Sequence, residues 1–263
     1  GVIAQVTNLG VPYLMRAAML VITFIVAFVL MHDEGFTPRK GESVGKEMRK
    51  ILKASFDHGL RKPPVRWVML AAPFSAGVGF YAFYAMQPYL LQLYGKTGSY
   101  AIAGLAAAIV AGAQVAGGFL VPYIRRAFKR RTSVLLTGTV LSAGALACIG
   151  IVSVFWLALV ILVIWAIVFA AVSPIRQAYL NDLIPSEQRA TVLSSDNLLG
   201  SSGGVVIQPG LGKVADLHGY GASYVVGAGV QLLSLPLLLL ARREKVGSDF
   251  IIKESPPETP PVI

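Results

Sequence analysis

From Thr132 to Ile175 the chain carries no Asp, Glu, Lys or Arg, a run of 44 residues. Few places in a cell accommodate such a segment. A helix crossing the hydrocarbon core of a bilayer takes about 20 mostly apolar residues, because lipid offers no partner to a bare backbone amide. The run is therefore read as two spans joined by a tight turn near Ser153. The same test finds Trp67 to Gly95 and Thr97 to Ile124, charge-free runs of 29 and 28 residues, separated at Tyr94-Gly95-Lys96-Thr97-Gly98-Ser99. Val11 to Met31, broken by Arg16, makes another span, and Tyr220 to Ala241 one more. Thr191 to Val214 is a weaker one that holds Asp196, Asn197, Gln208 and Pro209 among many glycines. The count is seven.

Composition agrees: 55% of the 263 residues are hydrophobic and 14% charged, against about 25% charged in soluble domains. That deficit, with the single Cys148, excludes a disordered chain, a disulfide-stapled module and a water-soluble enzyme of ordinary composition. The net charge of +10 would suggest nucleic acid in a soluble protein, but its placement says otherwise. Arg39 to Arg66 holds nine of the basic residues and Arg125 to Arg131 five. Arg189 follows the fifth span, and Arg242, Arg243, Lys245 and Lys253 follow the last. Nineteen of the 23 Lys and Arg thus fall on one side of the seven spans. The asymmetry places the large loops and the C-terminus in the cytoplasm. It makes the basic belt a neighbour of anionic membrane lipid and leaves no role for nucleic acid.

Between the first two spans Val44, Met48, Ile51, Leu52 and Phe56 recur at helical spacing among Lys46, Glu47, Arg49, Lys50 and Lys53. This predicts an amphipathic helix on the cytoplasmic face, ended by Pro63-Pro64.

Four segments carry a family resemblance. Ile184-Pro185-Ser186-Glu187-Gln188-Arg189-Ala190-Thr191-Val192-Leu193-Ser194 looks like the short loop between helices ten and eleven of many bacterial permeases of the major facilitator superfamily. Gly118-Phe119-Leu120-Val121-Pro122, followed by Arg125-Arg126 and Lys129-Arg130-Arg131, resembles that superfamily's degenerate glycine and double-basic loop, without its aspartate. Gly210-Leu211-Gly212 through Asp216 and Gly219 is similar to the end of helix eleven. The long basic loop matches the linker between the two halves. Gln114 and Gly118 recur as Gln208 and Gly212 at a constant offset of 94, as copied three-helix units would give.

The resemblance implies an all-α integral membrane fold: seven transmembrane helices, being the C-terminal six-helix half of a major facilitator bundle plus the preceding helix. Residues 1-31 would be the last helix of the N-terminal half and 32-66 the amphipathic linker. Residues 67-241 would be the six-helix transport half, and 242-263 a disordered cytoplasmic tail. It also implies missing N-terminal helices of the same transporter, so that the sequence reads as an incomplete chain.

Candidate functional residues follow from polarity inside spans, where a polar group must face protein or water. Phe80, Tyr84 and Gln87 share a face of the second span, and a phenol and an amide there could hold a moderately polar substrate. Interhelical packing is the competing reading, and it is also the reading against Gln114, beside Gly112, Gly117 and Gly118. Trp165, in the middle of the fifth span, either lines the cavity or fills the core. Asp196 is the carboxylate placed inside a span away from its ends, beside Asn197. It is a proton-coupling or cation-binding group on one reading. On the other it is an acid near a helix N-terminus with Arg189 two turns back. Arg176, facing Glu187 and Arg189 across the loop, could form a cytoplasmic gate or snorkel.

No constellation for enzyme chemistry, no cofactor loop and no metal-ligand spacing is found. The expectation is a permease of the bacterial inner membrane, a symporter or antiporter. It would move a small-molecule substrate by alternating access, with a proton or other coupling ion. An uncoupled facilitator is the nearest alternative. A seven-helix receptor lacks support, since the last span holds no lysine for a retinal Schiff base, and a non-transporting scaffold is the third class.

Overall fold

A computed structural model describes residues 1–8, 10–31, 45, 46, 49, 53, 55–95 and 99–251. These residues are almost wholly helical. A short helix α1 (Val2–Val6) precedes α2 (Gly10–Leu30), the first span. No residue of α2 is buried. It packs on α1, which packs in turn on α4 (Tyr100–Phe119). The second span is α3 (Pro63–Tyr94). Pro63-Pro64, expected to end the linker helix, instead opens this one, because the first helical positions have no use for the missing N–H. The linker helix over Val44 to Phe56 lies for the most part outside the described residues. Phe56 itself starts a π-helical turn, Phe56–Leu60.

The third charge-free run is divided. After α4 the chain restarts as α5 (Val121–Ala127), with Pro122 in its first turn. The 44-residue run folds as expected, into α6 (Arg131–Ile151) and the start of α7 (Phe155–Leu183), with extended backbone at Val152 and Val154 between them. A turn at Ser186–Gln188 leads into α8 (Arg189–Leu232), which continues as α9 (Ser234–Arg243).

Among the described residues six helical stretches are long and apolar enough to cross a membrane, and the last of them, Ser186–Arg243, has 58 residues. That is more than twice what a bilayer needs. It is two passes, because Gly219 adopts φ 85°, ψ 163° and breaks the helix. A straight helix would carry Gly227 about 24 Å from Leu211, yet a Cβ on Gly227 would touch the Leu211 side chain at 3.4 Å. With that stretch taken as two passes, the described residues hold about seven spans.

The core lies inside the bundle of α3, α4, α6, α7 and the two arms of α8. One end of it is aromatic. Tyr89 donates to the carbonyls of Ile149 (2.9 Å) and Val152 (3.1 Å), and Tyr224 donates to that of Ala82 (2.9 Å). Tyr81 shares a hydrogen bond with Ser223. Hydroxyls buried in a membrane bundle need such partners, and these tie α3 to α6 and α8. Nearer the Ser186–Gln188 turn, α3 crosses the first arm of α8 at Gly77 and Gly203. A Cβ on Gly203 would overlap the carbonyl of Pro73, so the two backbones touch because no side chain stands between them.

The tail expected to be disordered from residue 242 is placed as far as Ile251. Arg242 and Arg243 finish α9, and Glu244 accepts a hydrogen bond from the Trp67 indole at 3.2 Å. Phe250 forms a bridge with Arg130, whose guanidinium lies 4.8 Å from the Phe250 ring centre, and Ile251 N–H donates to Lys129 at 3.1 Å. These contacts hold the tail against the basic loop before α6. Residues 252–263 lie outside the described residues.

Candidate functional site

At the end of the bundle near the Ser186–Gln188 turn, α3, α6, α7, both arms of α8, and α9 enclose a cavity of about 330 Å³, within the range of small-molecule sites. Phe80, Phe169, Val172 and Leu238 give it apolar walls. Ser75, Thr139, Ser142, Ser173, Ser201 and Ser234 add hydroxyls, with the amides of Asn197 and Gln231. Two hydroxyls are spent on carbonyls about one turn back along the chain: Ser75 donates to Ala71 at 3.3 Å and Ser234 to Gln231 at 2.7 Å. The Ser142 hydroxyl is buried without a hydrogen-bond partner.

Two charged side chains line the cavity, Arg176 and Asp196. They meet fork to fork: Nη1 to Oδ2 at 2.7 Å and Nη2 to Oδ1 at 2.6 Å. Nη2 also donates to the Val68 carbonyl at 3.2 Å, so the guanidinium links α3, α7 and α8. The Asp196 side chain is 6% exposed and that of Arg176 25%. A lone charge at either place would be costly in this environment. The pair satisfies each with a planar, two-bond geometry that lysine could not reproduce.

The hairpin explains why they meet. Arg176 lies seven residues before the end of α7 at Leu183, and Asp196 seven after the start of α8 at Arg189. Antiparallel helices joined by a short turn bring residues at equal distance from it to the same depth, about 10 Å in at 1.5 Å per residue. Ser195, next to Asp196, donates to Ser55 at 2.7 Å and ties α8 to the segment before α3.

The structure brings together some of the expected residues and separates others. Phe80, Arg176, Asp196 and Asn197 line the cavity. Tyr84 is 69% exposed and, like Gln87, sits on an outward face of α3 away from it. Gln114 on α4 is half-buried and also outside. Trp165 is core: it is fully buried and stacks on Phe169 with 5.5 Å between ring centres, supporting a cavity wall from behind.

The loop charges Glu187 and Arg189 do not pair with Arg176 in this arrangement. Arg189 turns back onto the end of α7, its Nε donating to the carbonyls of Asn181 (3.0 Å) and Ile184 (3.4 Å), where a cation satisfies orphan carbonyls. It does not partner Asp196, and Glu187 is exposed. The hydroxyl ring and Gln231 were not singled out in the sequence, because Ser and Thr occur throughout these spans and their spacing alone marks no cavity.

Among the described residues, long apolar helices enclose a partly polar cavity with an ion pair on its wall. Comparison with known proteins gives the family. The sequence matches the Major Facilitator Superfamily over residues 1–207 and again over residues 98–260, and the chain belongs to that superfamily. Among solved structures it is similar to a bacterial homolog of the human lysosomal transporter Spinster, in an inward-facing, unoccupied conformation. The TM-score is 0.56 and the identity 17%, over 86% of this chain and 57% of that one. At that identity the likeness is one of fold. The chain thus spans a little over half the length of the transporter it matches. No curated protein sequence matches it.

Proposed function

We propose that the chain forms the six-helix half, with one preceding helix, of a secondary transporter that moves a small solute across the cytoplasmic membrane, coupled to protons through the Arg176–Asp196 pair. The observation that carries this is the pair itself: an ionisable carboxylate, nearly buried, on the wall of a solute-sized cavity. In a membrane protein such a group marks an ion or substrate path. Protonating Asp196 removes its attraction for Arg176 and frees both forks, a local charge change able to bias a bundle between two arrangements.

The second half of the bundle would come from helices of the kind present in the remaining 43% of the matched transporter, with the outward face carrying Tyr84 and Gln87 turned toward it. The basic loops and tail would then face the cytoplasm, beside anionic lipid.

The full-length protein in liposomes loaded with the pH dye pyranine tests this reading. A panel of organic acids, amines, sugars and amino acids is added one by one. A solute-triggered, protein-dependent change in internal pH supports proton-coupled transport. Solute entry without a pH change makes the protein an uncoupled facilitator. Entry of none would overturn the reading.

A further inference from the structure

We infer that the cavity takes a small neutral molecule ending in a carboxamide or lactam, and that the Gln231 amide, with the Ser142 and Thr139 hydroxyls, holds that end. This rests on the transport reading and gives its cargo a chemical class. The three side chains line the cavity and are more than nine-tenths buried, at 6%, 4% and 8% exposed, yet none of them makes a hydrogen bond within the protein. The other polar groups of the lining are accounted for. Ser75 and Ser234 donate to carbonyls, Arg176 and Asp196 hold each other, and Asn197, Ser173 and Ser201 are exposed.

Helix geometry puts the three at one depth. α6 and the second arm of α8 run antiparallel: their backbones touch at Gly150 and Gly221, and at the other end of α6 Thr132 meets Asp249. From the glycine contact Ser142 lies eight residues back along α6 and Thr139 eleven, whereas Gln231 lies ten residues forward. At 1.5 Å per residue the amide stands at about 15 Å, between hydroxyls at about 12 and 16 Å.

A buried polar group without a partner is costly until something bonds it. The Gln231 amide offers two donors and an acceptor, and each hydroxyl can do both. A carboxamide or lactam presents N–H and C=O side by side, so it can pair with Gln231 through two hydrogen bonds and leave its second carbonyl lone pair to a hydroxyl. A carboxylate brings no donor and an ammonium no acceptor. A sugar carries hydroxyls on all sides, whereas Phe80, Phe169, Val172 and Leu238 line the cavity with apolar surface. The two rings suit a flat body, and they are held in place: a Cβ on Gly204 would meet Phe80, and one on Gly79 would meet Phe169, at 3.1 Å.

The probe is benzamide, titrated by saturation-transfer NMR against the purified full-length protein in an uncharged, deuterated detergent at neutral pH. Saturable binding is expected, displaced by the lactam oxindole. N,N-dimethylbenzamide, which has no N–H, and the ions benzoate and benzylammonium should compete about tenfold less well. Gln231→Leu should weaken benzamide about tenfold, as loss of two hydrogen bonds does, and leave N,N-dimethylbenzamide unchanged. A merely structural role would weaken both alike.

No saturable binding, equal competition by N,N-dimethylbenzamide or benzoate, or an undiminished preference for benzamide in Gln231→Leu would overturn the proposal. If the variant fails to fold, the order of competitors on the wild type decides. Binding reads no transport: solute entry into liposomes without benzamide binding overturns this substrate class alone, and benzamide binding without entry of any solute overturns the transport reading alone.

Discussion

Asp249 reaches back to Thr132 with both carboxylate oxygens, Oδ1 accepting the backbone N–H at 2.8 Å and Oδ2 the hydroxyl at 2.9 Å. Thr132 is the second residue of α6, where backbone donors have no helical partner and the dipole favours an anion. The tail therefore caps a transmembrane helix that begins directly after a cluster of basic residues. Asp249→Ala is expected to destabilise the detergent-solubilised protein by about 1–2 kcal/mol, as loss of a helix cap does. It should also speed tryptic cleavage at Arg242, Arg243 and Lys245. Thr132→Ala, which keeps the backbone donor, should have a smaller effect on both.

The crossing of α3 and α8 depends on one glycine more than on its neighbour. A methyl group on Gly203 would overlap the Pro73 carbonyl, whereas one on Gly200 would meet the Ala76 Cβ at an ordinary 3.4 Å. Gly203→Ala should lower stability by about 1–3 kcal/mol through overpacking. Gly200→Ala should leave it unchanged or raise it slightly, since alanine favours helix over glycine. Thermal unfolding of the two variants side by side checks the difference.

The pair of Arg176 and Asp196 should behave as a unit in stability measurements. Removing Arg176 leaves a nearly buried carboxylate unpaired, so Arg176→Gln should cost on the order of 3 kcal/mol, and Asp196→Asn, which leaves the more exposed guanidinium, should cost less. The double variant should be less destabilised than the sum of the two, because no charge remains unpaired. A double-mutant cycle by thermal unfolding reads that coupling; additive losses would show that the two side chains are energetically independent.

At the end of the bundle remote from the cavity, Tyr89 serves two carbonyls where α6 finishes. Tyr89→Phe keeps the ring contacts with Tyr220 and Tyr224 and loses only the hydroxyl. It should cost about 1–2 kcal/mol, one or two net hydrogen bonds, with no change in the cavity at the other end of the bundle. Thermal unfolding reads the first effect, and an unchanged double-mutant coupling between Arg176 and Asp196 the second.

The spans were legible because lipid imposes a simple rule: the 44-residue run had to be two helices, and extended backbone at Val152 and Val154 divides it where expected. Pro122 and Pro63 were harder, since a proline both ends and begins helices, and only the packing decides which. The site was half legible. Asp196 and Arg176 were visible as charges inside spans, and their equal distance from the Ser186–Gln188 turn contained the pairing. Arg189 on the same face drew attention away from it. Tyr84, Gln87 and Gln114 show the limit of polarity as a guide, because a polar side chain in a span can face a second half of the bundle as readily as an internal cavity. The tail's contact with α6 left no signal, since a single aspartate in a polar segment does not announce which helix it caps.

The most direct test of proton coupling uses the most active solute from the liposome panel and compares wild type with Asp196→Asn in two assays on the same preparation. One is accumulation driven by a pH gradient, the other solute-for-solute exchange without a gradient. If Asp196 carries the coupling proton, the variant loses gradient-driven accumulation and keeps exchange. Undiminished accumulation by Asp196→Asn would contradict the account.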